Sequence, residues 1–536
     1  MTDETRRHSP GGPRPAAGRG AWFGLIAAVV LVVSLGRPAA VWDAAEIDGL
    51  AAGARLADAL TTGSGGLRER ARRGFESDAG VPPCVARPDA PACQRHATEA
   101  PLARWFIAGA ALTAPATDDA SSASYGATLA LILAALTTGL LLARSCGGGA
   151  GAAALGAALL LAMPGALGSA STAGVAALGA LVVALTLAAM ERVARGRGAI
   201  AAGLTLGLAL GLHPAGVVLL LPLFAVAAAA TRPRPRPSHE PGLLPLPPVP
   251  VSLFAAPAIA LIVFVASWPA AWHETTRHLG AWLVSGIAQT APRQTIGGVL
   301  FDQPAGRAPS ALVAALQWVA WTPVPLLGAW LVGVAATARA GRRGLWSPLL
   351  VLATLLVTAG LDGGLFAERR NLLSWLWAPT ALTAGIGVVA MGDALARVRP
   401  NLSPRLAHGL VAALVLLLPG LALLLGVGPR AAQRFGAATR QPLPEALLAR
   451  GAPPDAETTV YVVAEAPDYA HALQVLTERG PRPYRWVESP EQASRVLLVR
   501  DGSGAERSAL AGALGQQEPL ASSDAGGVRV DLYVAP

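Results

Sequence analysis

Three carboxylates stand close together in Trp42-Asp43-Ala44-Ala45-Glu46-Ile47-Asp48, directly after a long apolar run. An acid at the centre of a membrane helix costs roughly 2.5 to 3.5 kcal/mol of insertion energy, and less near the interface. A carboxylate beside apolar helix ends and Trp42 is partly desolvated, which moves it toward the range of a general base. Asp43 therefore reads either as such a base, with Glu46 and Asp48 as neighbours able to share the role, or as a solvated residue that ends the span. Cys84 and Cys93 share one Pro-rich hydrophilic loop and read as a disulfide if that loop faces an oxidising compartment. Cys146, beside Arg144 at a segment end, reads as an inert thiol on the other side. The order His273-Glu274-x-x-x-His278 misses the zincin spacing by one residue, so no metal site is expected. Arg293, Asp302 and Arg307 flank Gly297-Gly298 and read as a solvated loop, with a lid over an acceptor as the alternative. The chain contains no lysine, which excludes Schiff-base chemistry and a Walker-type phosphate loop.

The elements that position these residues are membrane helices. The chain has 536 residues, is 53% hydrophobic and has a mean hydropathy of +0.48. A formal charge of +9 would fit nucleic acid, but the arginines form short clusters between apolar segments, as the positive-inside rule requires. No nucleic-acid partner is expected. Residues 1–20 read as a disordered cytoplasmic tail, and the first apolar run covers 22–41. Further runs lie at about 125–143, 150–167, 172–191, 199–212, 214–230, 251–271, 310–337, 345–361, 371–391 and 406–427, giving about eleven spans. The clusters Arg192/Arg195/Arg197, Arg232/Arg234/Arg236, Arg339/Arg342/Arg343 and Arg397/Arg399/Arg405 all then fall inside, and loops 42–124 and 272–309 fall outside. In the first outer loop, 44–62 reads as an amphipathic helix and Pro101–Leu112 as a second, interfacial one.

The expected fold class is an all-α polytopic membrane domain over 21–430, followed by a small extracytoplasmic α/β domain over 431–536. In that domain 459–464, 495–500 and 527–534 are strand-like, and 467–479 and 504–514 helix-like. It carries no nucleotide loop and no metal spacing.

Four segments resemble the C-type, polyprenyl-phosphate-sugar-dependent glycosyltransferases, in the bacterial branch related to protein O-mannosyltransferases and the lipid A aminoarabinose transferase. Asp43 follows the first span where that family places a catalytic acid. Thr98-Glu99-Ala100-Pro101-Leu102-Ala103-Arg104-Trp105 is similar to the family's Pro-Pro-Leu-x-x-Trp helix opening. Gly207-Leu-Ala-Leu-Gly-Leu-His213-Pro214 is similar to its Gly-Leu-x-x-x-x-Lys-x-Pro turn, with histidine in place of lysine. Ala308-Pro309 through Trp321-Thr322-Pro323-Val324-Pro325, and the later Glu368-Arg369-Arg370-Asn371 to Pro379, resemble its Thr-Pro helix end and its Arg-Tyr span. The chain departs from the pattern at Ala44, where a second acid is usual, at Ile47 and Asn371, where tyrosines are usual, and at 169–175, which lacks an acid.

The resemblance implies transfer of a sugar from a polyprenyl-phosphate carrier to an extracytoplasmic protein, lipid or glycan, at a cytoplasmic (inner) membrane. Asp43, with Glu46 beside it, would take the acceptor proton. His213, Arg369, Arg370 and Arg104 would meet the phosphate, the arginines through bidentate guanidinium pairing. Interfacial snorkelling is the alternative for Arg369 and Arg370, and a structural role for His213. No cofactor is called for, and nothing supports a divalent cation. Two other readings are a transporter or flippase of a lipid-linked sugar, and a non-catalytic relative that binds a partner through its outer domain. Against transport, the charges sit at outer helix ends rather than mid-span, and no internal repeat is visible.

Overall fold

The computed structural model describes residues 41–76, 101–113, 119–169, 176–230, 251–272, 293–296, 299–302, 322–340, 346–361 and 374–424, with shorter stretches between them. It also describes the strands and some of the connecting residues from 440 to 535. The arginine linker after 231 lies outside them, as does the expected first span up to residue 40; its last residue, Val41, is in a strand.

Three helices fill the described part of the first outer loop: α1 (Ala44–Thr62), α2 (Leu67–Glu76) and α3 (Pro101–Thr113). The sequence leads one to expect two. α2 escapes because its inward face consists of Ala71, Gly74 and Phe75 among four arginines, too little apolar periodicity to stand out. The membrane helices follow as α4 (Asp119–Cys146), α5 (Ala150–Leu161), α6 (Pro164–Ser169), α7 (Ala176–Ala194), α8 (Ala199–Leu212), α9 (Leu220–Ala230) and α10 (Val251–Ser267). After the second outer loop come α11 (Val324–Ala340), α12 (Ser347–Leu361), α13 (Trp377–Val398) and α14 (Pro404–Leu424).

All ten apolar segments expected after the first contain helix, but among the described residues four helices are long and apolar enough to cross a membrane: Tyr125–Cys146, Ala176–Ala194, Ser374–Val398 and Pro404–Leu421. The other apolar helices are shorter because prolines punctuate them. Pro164 separates α5 from α6, and Pro214 opens a 3-10 turn (Pro214–Leu219) before α9. Pro269 likewise opens a 3-10 turn (Pro269–Trp272) after α10. The α7–α8 turn depends on Gly198, whose φ of +95° suits glycine; a Cβ there would also lie 2.7 Å from Arg192 Cβ.

α13 is the central helix. It is buried from Trp377 through Val388 and packs against α4, α5, α7, α11, α12 and α14. Gly333 on α11 and Gly387 on α13 let the two backbones approach until any Cβ would overlap a facing carbonyl, the close contact that small residues allow between membrane helices. α14 lies at the edge, with Leu414 69% exposed and Leu418 59% exposed, as a lipid-facing helix requires.

Outside the bundle, β1 (Val41–Asp43) pairs antiparallel with β4 (Arg440–Pro442). β2 (Arg293–Ile296) and β3 (Val299–Asp302) form a hairpin around Gly297-Gly298, with Arg293 opposite Asp302. The plain loop expected there is thus corrected: Gly-Gly between two four-residue runs is a two-residue hairpin signal. The C-terminal sheet contains β5 (Thr458–Ala464), β6 (Tyr484–Trp486), β7 (Arg495–Asp501), β8 (Ala521–Ala525) and β9 (Val528–Val534), in the order β6-β5-β7-β9-β8. β5 runs parallel to β6 and β7, while β9 runs antiparallel to β7 and β8. Val496, Leu498, Leu514 and Tyr533 form a core on one face. The helix expected at 467–479 and most of the one at 504–514 lie outside the described residues.

Candidate functional site

Helix ends that carry two of the motif segments, Pro101–Trp105 and Gly207–His213, meet at one end of the bundle. Trp105 on α3 donates its indole N–H to the carbonyl of Ser267 at the end of α10, at 2.8 Å. A Cβ on Gly211, near the end of α8, would lie 3.2 Å from Leu102 Cβ and 3.3 Å from Ser267 Oγ. The starts of α3 and the ends of α8 and α10 therefore share one junction. Gly203, Gly207 and Gly211 recur every fourth residue along α8; Gly203 and Gly207 meet Ile259 and Val263 of α10. The glycines of that motif thus have a packing reason independent of any chemistry.

Arg104 lies inside this layer. It is 5% exposed, and its guanidinium carbon stands 5.1 Å from the centre of the Phe75 ring, which itself lies 6.0 Å from the Trp105 ring. Beside it, Arg68 stands 5.3 Å from the centre of the Trp272 ring. Glu69 on α2 is held well below the usual carboxylate range, first by its hydrogen bonds from Arg72, which outweigh the opposing desolvation, and further by the bond from Arg73. α2 consequently presents a surface of arginines that are largely accounted for by partners within the layer.

His213 ends α8 and opens the following 3-10 turn. Its Nδ1 accepts a hydrogen bond from Ala215 N–H at 3.1 Å. A ring nitrogen that accepts carries no proton, so the neutral tautomer has its hydrogen on Nε2. Burial in the turn pushes the pKa down to about 4, which keeps the ring neutral near pH 7. His213 is therefore a structural cap on one edge and an N–H donor on the other, rather than a fixed cation replacing lysine.

Trp375 faces His213 edge-on, with ring centres 6.5 Å apart. It sits in a 3-10 turn (Ser374–Leu376) immediately before α13, and a Cβ on Gly179 of α7 would lie 2.6 Å from its Nε1. A further bond joins the last two motif segments: Trp318 donates its indole N–H to Thr380 Oγ1 at 2.9 Å, while Thr322 Oγ1 donates to the Trp318 carbonyl at 2.7 Å. The fold thus links Pro101–Trp105 to Gly207–His213, His213 to Trp375, and Trp318–Thr322 to Thr380. Trp375 is the residue that sequence reasoning missed; its signal was a tryptophan pair, Trp375 and Trp377, between Arg370 and Pro379.

Asp43 is the last residue of β1 and directly precedes Ala44, the first residue of α1. That is the position of a capping acid, with Glu46 in the first helical turn, so a helix-cap reading joins the two drawn from sequence. α1 in turn packs on α3, where Gly53 lies close against Ile107. Arg369, Arg370, Cys84, Cys93 and the His273–His278 cluster lie outside the described residues. Cys146 forms no disulfide.

No family model matches the sequence, and no curated protein matches it. Among solved structures, ArnT from Cupriavidus metallidurans bound to undecaprenyl phosphate aligns over 97% of this chain and 99% of its own, with a TM-score of 0.56 at 16% identity. The same protein in the apo state aligns over 96% and 98%, with a TM-score of 0.51 at 14% identity. The Archaeoglobus fulgidus oligosaccharyltransferase tethered to an acceptor peptide aligns over 90% of this chain and 69% of its own, with a TM-score of 0.48 at 14% identity. The architecture expected from the four motif segments is met: the chain has the fold found in ArnT.

Proposed function

We propose that the protein is a membrane-embedded glycosyltransferase that moves a sugar from a polyprenyl-phosphate carrier to an acceptor outside the cytoplasmic membrane. The observation that carries this reading is the end-to-end fold likeness to an enzyme solved with undecaprenyl phosphate, together with the gathering of the motif segments at one end of the bundle.

In this reading the acceptor hydroxyl attacks the anomeric carbon of the donor from the face opposite the phosphate. A new glycosidic C–O bond forms, the bond to the phosphate oxygen breaks, and the electron pair leaves with polyprenyl phosphate. Asp43 takes the acceptor proton, and its place at a helix N-terminus favours the carboxylate a base must be. His213 donates from Nε2–H to a phosphate oxygen, and Arg369 and Arg370 stabilise the charge on the departing phosphate. Glu46, within the first turn of α1, lies near enough in sequence to assist Asp43. Arg104, set against Phe75, supports the interfacial helix that borders the donor.

The test is transfer of label from a radiolabelled undecaprenyl-phosphate sugar by the purified protein. The wild type is expected to turn over, and Asp43→Asn to fall by about 100-fold or more, the usual contribution of a general base. Equal rates in the two proteins would remove Asp43 from the chemistry. Failure of the wild type to bind or turn over any such donor would remove the enzyme reading itself.

A further inference from the structure

The strand that pairs with β1 belongs to the C-terminal part of the chain. The register sets Val41 opposite Pro442, Trp42 opposite Gln441 and Asp43 opposite Arg440. β4 is not a strand of the C-terminal sheet, but it packs against two of that sheet's strands, β8 and β9, so the segment that meets Asp43 lies against the C-terminal sheet. Residues directly opposite in an antiparallel pair have Cα atoms about 4.5 to 5.5 Å apart and share a face of the ladder. An acid and an arginine therefore occupy one cross-strand position, directly before α1. The charged residues nearest this point on α1, the helix that packs against β1, are Glu46 and Asp48, both acids.

We propose that Arg440 is the positioning residue for Asp43: the C-terminal domain returns to the membrane domain through the β1–β4 ladder and supplies the cation that keeps the base ionised and in register. The proposal rests on the reading of Asp43 as the base. It gives the C-terminal domain a task that its own sheet, without a nucleotide loop or metal spacing, does not reveal. It also places a charge beside Asp43 where the related pattern would have a second acid at Ala44.

Two measurements on the full-length protein test it. In the first, Asp43→Cys/Arg440→Cys is oxidised in membranes and digested, and the peptide joining positions 43 and 440 is quantified by mass spectrometry. The Cα separation of a directly opposite pair falls within the 4.4 to 6.8 Å that a disulfide spans. Linkage several-fold above that of Asp43→Cys/Gln441→Cys, which is one residue out of register, is expected; equal or absent linkage overturns the proposal. In the second, the pH dependence of transfer from the radiolabelled undecaprenyl-phosphate sugar is measured. Arg440→Gln is expected to move the acidic limb of kcat/KM upward by about one to three pH units, and Arg440→Lys to restore most of that shift. An unmoved limb in Arg440→Gln, or equal impairment in the two variants, overturns the proposal. If the wild type transfers nothing, the glycosyltransferase reading and the functional half of this proposal both fail, while the cross-link still decides the pairing.

Discussion

At His213 a single side chain meets two requirements. Nδ1 closes the turn after α8 by accepting from Ala215 N–H, which leaves Nε2–H as the ring's donor, the group proposed above to meet a phosphate oxygen. Its pKa is lowered by burial from 6.5 to about 4, so the folded state binds the proton less readily than the unfolded chain does. The stability this group contributes is thus fully present above about pH 6.5 and declines as the pH falls toward 4. Thermal unfolding of wild type and His213→Asn in detergent, followed between pH 7.5 and 4, is expected to show a gap that narrows on acidification. A gap constant across that range would mean that the ring does not titrate as this burial requires. The presence of a histidine at a helix boundary was legible in the sequence. Its tautomer was not, because that depends on a backbone N–H two residues away being held in place by the turn. For Asp43, position after an apolar run was legible; its opposition to Arg440 was not, since about three quarters of the chain separates the two.

Helices were more legible than strands, and interior strands more legible than edges. The membrane helices declare themselves through long apolar runs ended by arginines, and α1 and α3 through their amphipathic pattern. In the C-terminal sheet the three strands expected are β5, β7 and β9, the inner strands of the order β6-β5-β7-β9-β8. The two that went unseen, β6 with Tyr-Arg-Trp and β8 with Ala-Ser-Ser-Asp-Ala, are the edges, where one neighbour and partial exposure demand little apolar alternation. The helix contacts were equally hidden. Gly387→Ala places a methyl group against the Ala329 carbonyl and is expected to cost about 1 to 3 kcal/mol by forcing α11 and α13 apart. Gly409→Ala, on α14 with open space around it, is expected to be neutral or to gain up to about 1 kcal/mol from helix propensity. Melting temperatures of the two variants check the contrast, and a similar loss in both would mean that α14 is not at the edge of the bundle.

At the scale of the whole molecule, the arginine clusters set an orientation that thiol chemistry can read. Arg144 and Cys146 close α4 at the end expected to face the cytoplasm, whereas Cys84 and Cys93 belong to a loop expected to lie outside. In intact spheroplasts an impermeant maleimide is expected to spare Cys146 until the membrane is permeabilised, and to reach Cys84 and Cys93 only after reduction. Labelling of Cys146 from outside would invert the topology. Chain composition alone determined that this protein enters a membrane, which segments are apolar, and where acids and arginines fall relative to them, because hydropathy and charge are local properties of a sequence. Tertiary structure decided which helix ends meet, which glycines face a neighbour, and which residue of the distant C-terminal segment lies opposite Asp43. Those relations join residues far apart along the chain, and they exist only once packing and strand register have brought them together.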